Sequence, residues 1–253
     1  MTKNANPAIA GSTNVGRVRQ VNEDAILVNN ELRLYAVADG MGGHGSGDIA
    51  SQLALDTLSK CLQSDSVALA LSNEHIADEQ ALALMFQSIV GVNQTIFRQN
   101  EVQGQTDGTG MGTTLVGMCL FGDGKRAVSF NVGDSRLYEH RHNALLQLTR
   151  DHTMYQDWEE AGRIGPAPPR NIIMRAMGLF VEVDIDMEVI PVRSDAAYLL
   201  CSDGLTGMVP DEQIAQTMND VQDASVLAET LIQQANELGG SDNISVVIIK
   251  ATD

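Results

Sequence analysis

Cysteine is scarce: the 253 residues hold three, Cys61, Cys119 and Cys201. Their number is odd and none is paired at C-x-x-C spacing, which argues against a disulfide scaffold and against a thiolate zinc site. Cys119 and Cys201 lie in apolar runs and read as small core residues. Basic side chains are also few, 16 against 33 acidic ones, for a formal charge of −17. Such a chain lacks the cationic footprint that non-specific nucleic-acid binding needs, and the charge argues, less strongly, against an anionic membrane. Small anionic ligands stay open, because a metal ion or a single arginine can invert the field locally. No apolar run approaches the roughly 18 residues of a spanning helix. The opening MTKNANPAIAG has no hydrophobic signal region. A soluble, cytoplasmic protein is expected.

Apolar residues make up 43% of the chain, enough for a packed core. Residues 1–10 read as a flexible arm and 11–253 as one domain. Ala25–Asn29 and Leu32–Ala38 form an expected hairpin. After the Gly-rich turn Gly40–Gly47, Asp48–Leu62 has helical spacing, with Ile49, Leu53, Leu55 and Leu58 on one stripe. Asp78–Gln99 is a second helix, with Leu82, Met85, Phe86, Ile89 and Phe97 as core side chains. Residues 100–112 read as a loop. Thr113–Phe121, Ala127–Val132 and Arg136–His140 are successive strands, and His152–Gly162 is a short helix. Pro166, Pro168 and Pro169 exclude regular structure over Gly165–Pro169. Val183–Ile190 and Ala196–Cys201 read as strands, Asp211–Met218 and Ala224–Leu238 as helices, and Ile244–Ile249 as a closing strand. The order is not a regular βα alternation; it fits meander-like sheets with helices outside.

The informative pattern is aspartate at the ends of apolar strands, beside Gly, Ser or Asn. Asp24 opens Ala25–Val28, and Asp39-Gly40 closes Tyr35–Ala38. Gly133-Asp134-Ser135 follows Val128–Val132, and Asp203-Gly204 follows Tyr198–Ser202. Ser241-Asp242-Asn243 precedes Ile244–Ile249. A lone Asp-Gly is usually a turn. Several carboxylates brought together repel one another, and Mg²⁺ or Mn²⁺ would relieve that while accepting oxygen ligands. The Gly-rich run lacks the Lys-Ser/Thr of a P-loop and the G-x-G-x-x-G of a dinucleotide site.

Taken in order, these residues resemble the bacterial form of the PP2C-type (PPM) metal-dependent protein serine/threonine phosphatases. The matching strings are Gly16–Asp24, Ala36–His44, Gly112-Thr113-Thr114, Asn131–Arg136, Thr149–Thr153, Arg170–Gly178, Ser202–Leu205 and Gly240–Asn243, spread over roughly residues 11–250. The resemblance implies an α+β, four-layer αββα sandwich, its two mostly antiparallel sheets flanked by helices, with a metal cluster in a cleft at one edge. It implies that Asp39 bridges two Mn²⁺ or Mg²⁺ ions. The Gly40 carbonyl, Asp203 and Asp242 complete one ion's shell, and Asp24, with Glu23 through water, serves the other. Asp134 and Asp203 match the pair that holds a third ion. Arg19 matches the phosphate-binding arginine, with Arg17 its immediate rival. Where many relatives carry His after Asp-Gly, this chain has Met41. His44 is the nearest candidate acid, although it could equally orient water or support the loop. Residues 154–170 correspond to the family's flap, here abbreviated and proline-rich.

The expected reaction is hydrolysis of phosphoserine and phosphothreonine monoesters by direct attack of a metal-bridging hydroxide, without a phosphoenzyme. The expected partners are phosphorylated proteins, opposite a serine/threonine kinase, with the chain acting as a monomer. The rival is a pseudophosphatase or phosphoprotein-binding module of the same fold, which would have no need of the whole ligand set. A phosphodiesterase reading suits the acidic charge poorly, and a calcium domain leaves Arg19 unexplained.

Overall fold

Strands that are apolar on both faces must be covered on both, and that requirement sets the layering here. The computed structural model describes residues 8–42 and 45–250. In chain order the elements are β1 (Ala8–Asn14), β2 (Asp24–Asn29), β3 (Leu34–Met41), α1 (Gly47–Leu62), α2 (Asp65–Ser72), α3 (Asp78–Val102), β4 (Gly112–Thr113), β5 (Leu115–Phe121), β6 (Arg126–Val132), β7 (Arg136–Arg141), β8 (Ala144–Gln147), α4 (Met154–Glu160), β9 (Asp186–Pro191), β10 (Ala197–Cys201), α5 (Asp203–Thr206), α6 (Asp211–Asp220), α7 (Ala224–Glu237) and β11 (Ile244–Lys250). One sheet runs β1-β11-β10-β7-β8. The other runs β2-β3-β5-β6-β9, with β4 paired to β3. The pairings are antiparallel.

Side-chain alternation sorts each strand between two interfaces. Along β3, Leu34, Ala36 and Ala38 pack with Leu55 and Leu58 of α1 and Met85 and Ile89 of α3. Tyr35 and Val37 point the other way, onto Leu200, Val247 and Ile249 of the facing sheet. Along β11, Val246 and Ile248 pack with Leu227 and Leu231 of α7. Three apolar layers therefore separate four structural ones, the expected αββα sandwich.

Several details differ from the sequence reading. Ala8–Ala10, expected in the arm, begin β1, which pairs with β11 from Ala8↔Lys250 to Asn14↔Ile244. Phe86 is exposed rather than core: the buried face of α3 runs through Met85, Ile89, Val92 and Ile96, and Phe86 sits one residue off that stripe. Ile49 is likewise turned away from the buried Ala50, Ala54 and Leu58 of α1. Helix α3 extends into the expected loop as far as Val102. The strand expected from Val183 begins at Asp186. Gly165–Pro169 holds no regular element.

Two buried asparagines of α3 tie the chain just ahead of β4 and beyond the proline-rich stretch. Asn100 donates to Met111 O (2.8 Å) and Gly178 O (2.9 Å) and accepts from Met111 N (3.0 Å). Asn93 accepts from Gly178 N (2.7 Å) and donates to Phe180 O and Val181 O. An amide satisfied in this way holds backbone that would otherwise be buried and unpaired. Asn100→Ala should lower unfolding free energy by about 3 kcal/mol, because it strands several buried backbone groups at once. Urea denaturation checks this, and a loss under about 1 kcal/mol would show that the segment finds other partners.

Candidate metal centre

The centre begins with a pairing that electrostatics disfavours. Asp24, first residue of β2, stands directly opposite Asp39 near the end of β3. Cross-strand partners project from the same face of a sheet, where two like charges repel. Asp24 is buried. Burial, followed by the charges of Asp203 and Asp242, pushes its carboxyl up to about 6. Burial, then Asp24, Asp203, Asp134 and Asp242, raises Asp39 well above the usual carboxylate range. Burial, then Asp203 and Asp151, pushes Asp134 up to about 7. Asp203 is raised by burial and then by Asp242. Four segments distant in sequence thus share one region of negative potential, at one edge of the sandwich.

Neutral groups hold these carboxylates in place. Ser202, at the end of β10, donates to Asp24 Oδ2 at 2.7 Å while accepting from Ser245 N at 3.0 Å. The Ser245 hydroxyl pairs with Thr13 Oγ1 at 2.7 Å, which in turn accepts from Asn22 at 2.8 Å. Thr114 Oγ1 accepts from Asp39 N at 2.9 Å and pairs with Ser135 Oγ at 2.8 Å, joining Asp39 to the turn that carries Asp134. Asn243 accepts from Glu23 N and donates to Val15 O and Val21 O, binding the 15–23 loop to the start of β11. Glu23 Oε1 accepts from Gly47 N at the head of α1 (3.2 Å), and Ser51 donates to Glu23 O. Gly40 and Gly47 lie backbone to backbone: a Cβ on Gly40 would come within 2.0 Å of Gly47 O. That contact explains why the turn after Asp39 is built from glycine.

Arg19 reaches the cluster from the rim. Its guanidinium donates to Asp242 Oδ2 at 2.7 Å, and the side chain is about half exposed. That hydrogen bond, with the charges of Asp242, Glu23 and Asp39, raises its pKa further despite partial burial. Arg17 lies elsewhere, lining a hollow with Glu229, Gln233 and Asn236 of α7. Asp24, Asp39, Asp203, Asp242, Asp134, Glu23, Gly40 and Arg19 are therefore gathered in one place. His44 lies outside the described residues. The sequence reading gives no role to Ser202, Thr114 and Asn243, although they lie within the family-like strings, nor to Ser245, which lies outside them.

Do these residues suit a divalent cation? Among the described residues no three carboxylates are drawn up as a finished cage; Asp242 turns to Arg19 and Asp24 to Ser202. Yet Asp24 Oδ1 and Asp134 Oδ1 are buried with no hydrogen-bond partner. Buried lone pairs of that kind call for a cation or a proton. The donors are all oxygen, as hard Mg²⁺ or Mn²⁺ prefers. The set fits.

The model for protein phosphatase 2C matches residues 13–242. The chain belongs to the protein phosphatase 2C family. It is 35% identical over 246 residues to the serine/threonine phosphatase Stp of Listeria monocytogenes, covering 94% of this chain and 93% of that one. Identity to the serine/threonine protein phosphatase PstP of Mycobacterium tuberculosis is 36% over 254 residues, 96% of this chain and 45% of that longer protein. Among solved structures, a PstP catalytic domain in complex with two manganese ions superposes with a TM-score of 0.82 at 34% identity, covering 98% of this chain and 99% of that one. Stp1 from Staphylococcus aureus superposes at 0.85 with 28% identity, covering 100% and 98%.

Raised carboxyls bind protons more tightly in the folded than in the unfolded chain, so they cost stability once pH exceeds the unfolded value of about 3.9. The loss grows until the folded groups ionise, at about 6 for Asp24 and about 7 for Asp134. Chelator-treated protein should therefore melt lower at about pH 7.5 than at about pH 5, and millimolar Mn²⁺ should close most of that gap. Asp24→Asn should flatten the slope. A pH trend untouched by both Mn²⁺ and the substitution would contradict this electrostatic picture.

Proposed function

We propose that this serine/threonine phosphatase hydrolyses phosphoserine and phosphothreonine monoesters of proteins in a single displacement at the aspartate cluster. Asp39 would bridge two Mn²⁺ or Mg²⁺ ions. The Gly40 carbonyl, Asp203 and Asp242 would complete one shell, and Asp24, with Glu23, would serve the other. Asp134 and Asp203 would share a third ion. The observation that carries this reading is the Asp24–Asp39 pair, opposed across β2 and β3, with buried and unpartnered oxygens on Asp24 and on the neighbouring Asp134. When bound, such ions supply Lewis-acid shielding of the phosphoryl oxygens and an attacking water acidified toward neutral pH.

The protein's own groups do the rest. Ser202, itself held by Ser245 N, fixes the rotamer of Asp24, so one oxygen stays committed and the other is left buried without a hydrogen-bond partner. Arg19 sits on Asp242 with its remaining donors toward solvent, placed to take two phosphoryl oxygens and orient the ester. Cysteine chemistry has no support: burial pushes the Cys119 and Cys201 thiols up to about 12. His44 is our candidate donor of a proton to the departing serine or threonine oxygen. We further read the chain from Ala8 onward as one catalytic domain with a flap over about 154–170, acting as a monomer in the cytoplasm against a serine/threonine kinase. Among the described residues no helix is long and apolar enough to cross a membrane.

Purified protein with Mn²⁺ should hydrolyse a phosphothreonine peptide and p-nitrophenyl phosphate, lose both activities on chelation, and leave bis-p-nitrophenyl phosphate nearly untouched. Asp39→Asn should cut kcat about a thousandfold or more with the circular dichroism spectrum unchanged. Near-normal turnover at saturating Mn²⁺ would rule out a bridging role. Arg19→Ala should raise KM for the peptide about tenfold or more while kcat changes little, as loss of ground-state phosphate binding requires; a pure kcat defect would place its contact in the transition state instead.

A further inference from the structure

His152 is fully buried, and no step of the proposed chemistry uses it. It nevertheless holds both backbone groups of one residue. Its main-chain N–H donates to Gly133 O at 2.9 Å. Its ring Nδ1 accepts from Gly133 N at 3.0 Å. Gly133 directly precedes Asp134 and has φ +112, and a Cβ there would come within 2.6 Å of Thr114 Cγ2. The turn that aims Asp134 is thus wedged between Thr114 on one side and His152 on the other.

The far side of the imidazole faces the chain that follows the flap. Nε2 lies 3.0 Å from Asp186 Oδ2 and 3.2 Å from Arg175 Nη1, and Asp186 Oδ1 accepts from the same Arg175 nitrogen at 2.8 Å. The carbonyl of His152 accepts from Met174 N at 2.7 Å, and Thr153 bridges Ile173, so the returning limb of the flap is pinned to the same residue. The preceding Asp151 is gripped by Arg136 through two nitrogens and by Gln147, which anchors the backbone of the pair to β7. Burial, aided by Arg175 and Arg150 and opposed by Asp186, pushes the His152 pKa down and keeps the ring neutral. A neutral ring with its proton on Nε2, toward Asp186, leaves the Nδ1 lone pair for the Gly133 amide.

We infer that His152 is a positioning residue for the reaction: by clasping Gly133 it sets the aim of Asp134, and with it the affinity of the cation position that Asp134 shares with Asp203, while locking the flap's return to that turn. The inference rests on the reading of Asp134 as a ligand. Partners that orient a ligand in this way typically cost tenfold to a hundredfold in metal affinity when removed.

The test compares wild type, Asp134→Asn, His152→Asn and His152→Gln by calorimetric Mn²⁺ titration, alongside kcat and KM for a phosphothreonine peptide across Mn²⁺ concentration. Asparagine can place an acceptor near Nδ1; glutamine places its polar end near Nε2 and leaves the Gly133 amide unpaired. The weakest Mn²⁺ event should disappear in Asp134→Asn. It should stay within about threefold of wild type in His152→Asn and weaken about tenfold or more in His152→Gln, with peptide KM unchanged at saturating Mn²⁺. Equal effects of the two histidine variants, or wild-type binding by His152→Gln, would overturn the inference while leaving the Asp134 reading intact. A wild-type titration from Asp134→Asn removes the Asp134 reading and this inference with it. Imidazole ¹⁵N spectra of the wild type decide the matter without any variant: the proton should reside on Nε2, and finding it on Nδ1 overturns the proposal.

Discussion

Repulsion between Asp24 and Asp39 is the constraint around which the rest of the structure is arranged. Two adjacent strands of one sheet end in facing carboxylates, and Asp203 and Asp134 from other strand ends deepen the same negative potential. A fold tolerates such a concentration of buried charge only by protonating it or by giving it a cation. The sandwich supplies the rigidity that makes the second solution specific. Its strands are held on both faces by apolar layers, so the carboxylates cannot relax far from one another.

The surrounding shell is built to position rather than to neutralise. Beneath Asp24 runs a chain of neutral groups, from Ser202 through Ser245 and Thr13 to Asn22. Between Asp39 and the Asp134 turn stand Thr114 and Ser135. A lysine or arginine in these places would quench the negative potential and compete with a divalent ion. Arg136, partly buried nearby, is committed to Asp151 in a bidentate pair. Arg19 is left at the rim, exposed enough to turn toward an incoming anion. On the proposed reading, the arrangement would separate two tasks that oppose each other electrostatically: holding cations among the aspartates and attracting phosphate at the rim.

The proposed flap follows a different rule. Its helix α4 buries no residue, and polar contacts knit it together: Arg150 with Asp157 and Glu160, Trp158 with the carbonyls of Ile164 and Gly165, and Arg170 over the ring of Tyr155. Exposed contacts of this kind contribute little individually. The segment is fastened at its ends instead, at Thr153–Ile173 and through Asn93 and Asn100 beyond Met177. The proline-rich middle can thus vary without disturbing the carboxylates. His152, beside the first of those fastenings, also touches the Asp134 turn.

Local pattern was sufficient for much of the fold. Helices α1, α3, α6 and α7 and the central strands announced themselves through periodicity and turn residues, because hydrophobic spacing is a property of neighbours along the chain. It was not sufficient for β1 or β8, edge strands of unremarkable composition that exist because a partner strand lies beside them, nor for the outward turn of Phe86 and Ile49. At the site, the sequence by itself determined the donor set: aspartates at strand ends, a glycine turn and an arginine ahead of Asp24. Only the tertiary structure decided that Asp24 faces Asp39, that Arg19 rather than Arg17 lies on Asp242, and that Ser202, Thr114 and His152 meet Asp24, the Asp39 amide and Gly133. The reason is physical. A carboxylate carries its chemistry wherever it stands, whereas a hydroxyl or an imidazole acquires a role only from the atom it meets across a distance the chain must fold to close.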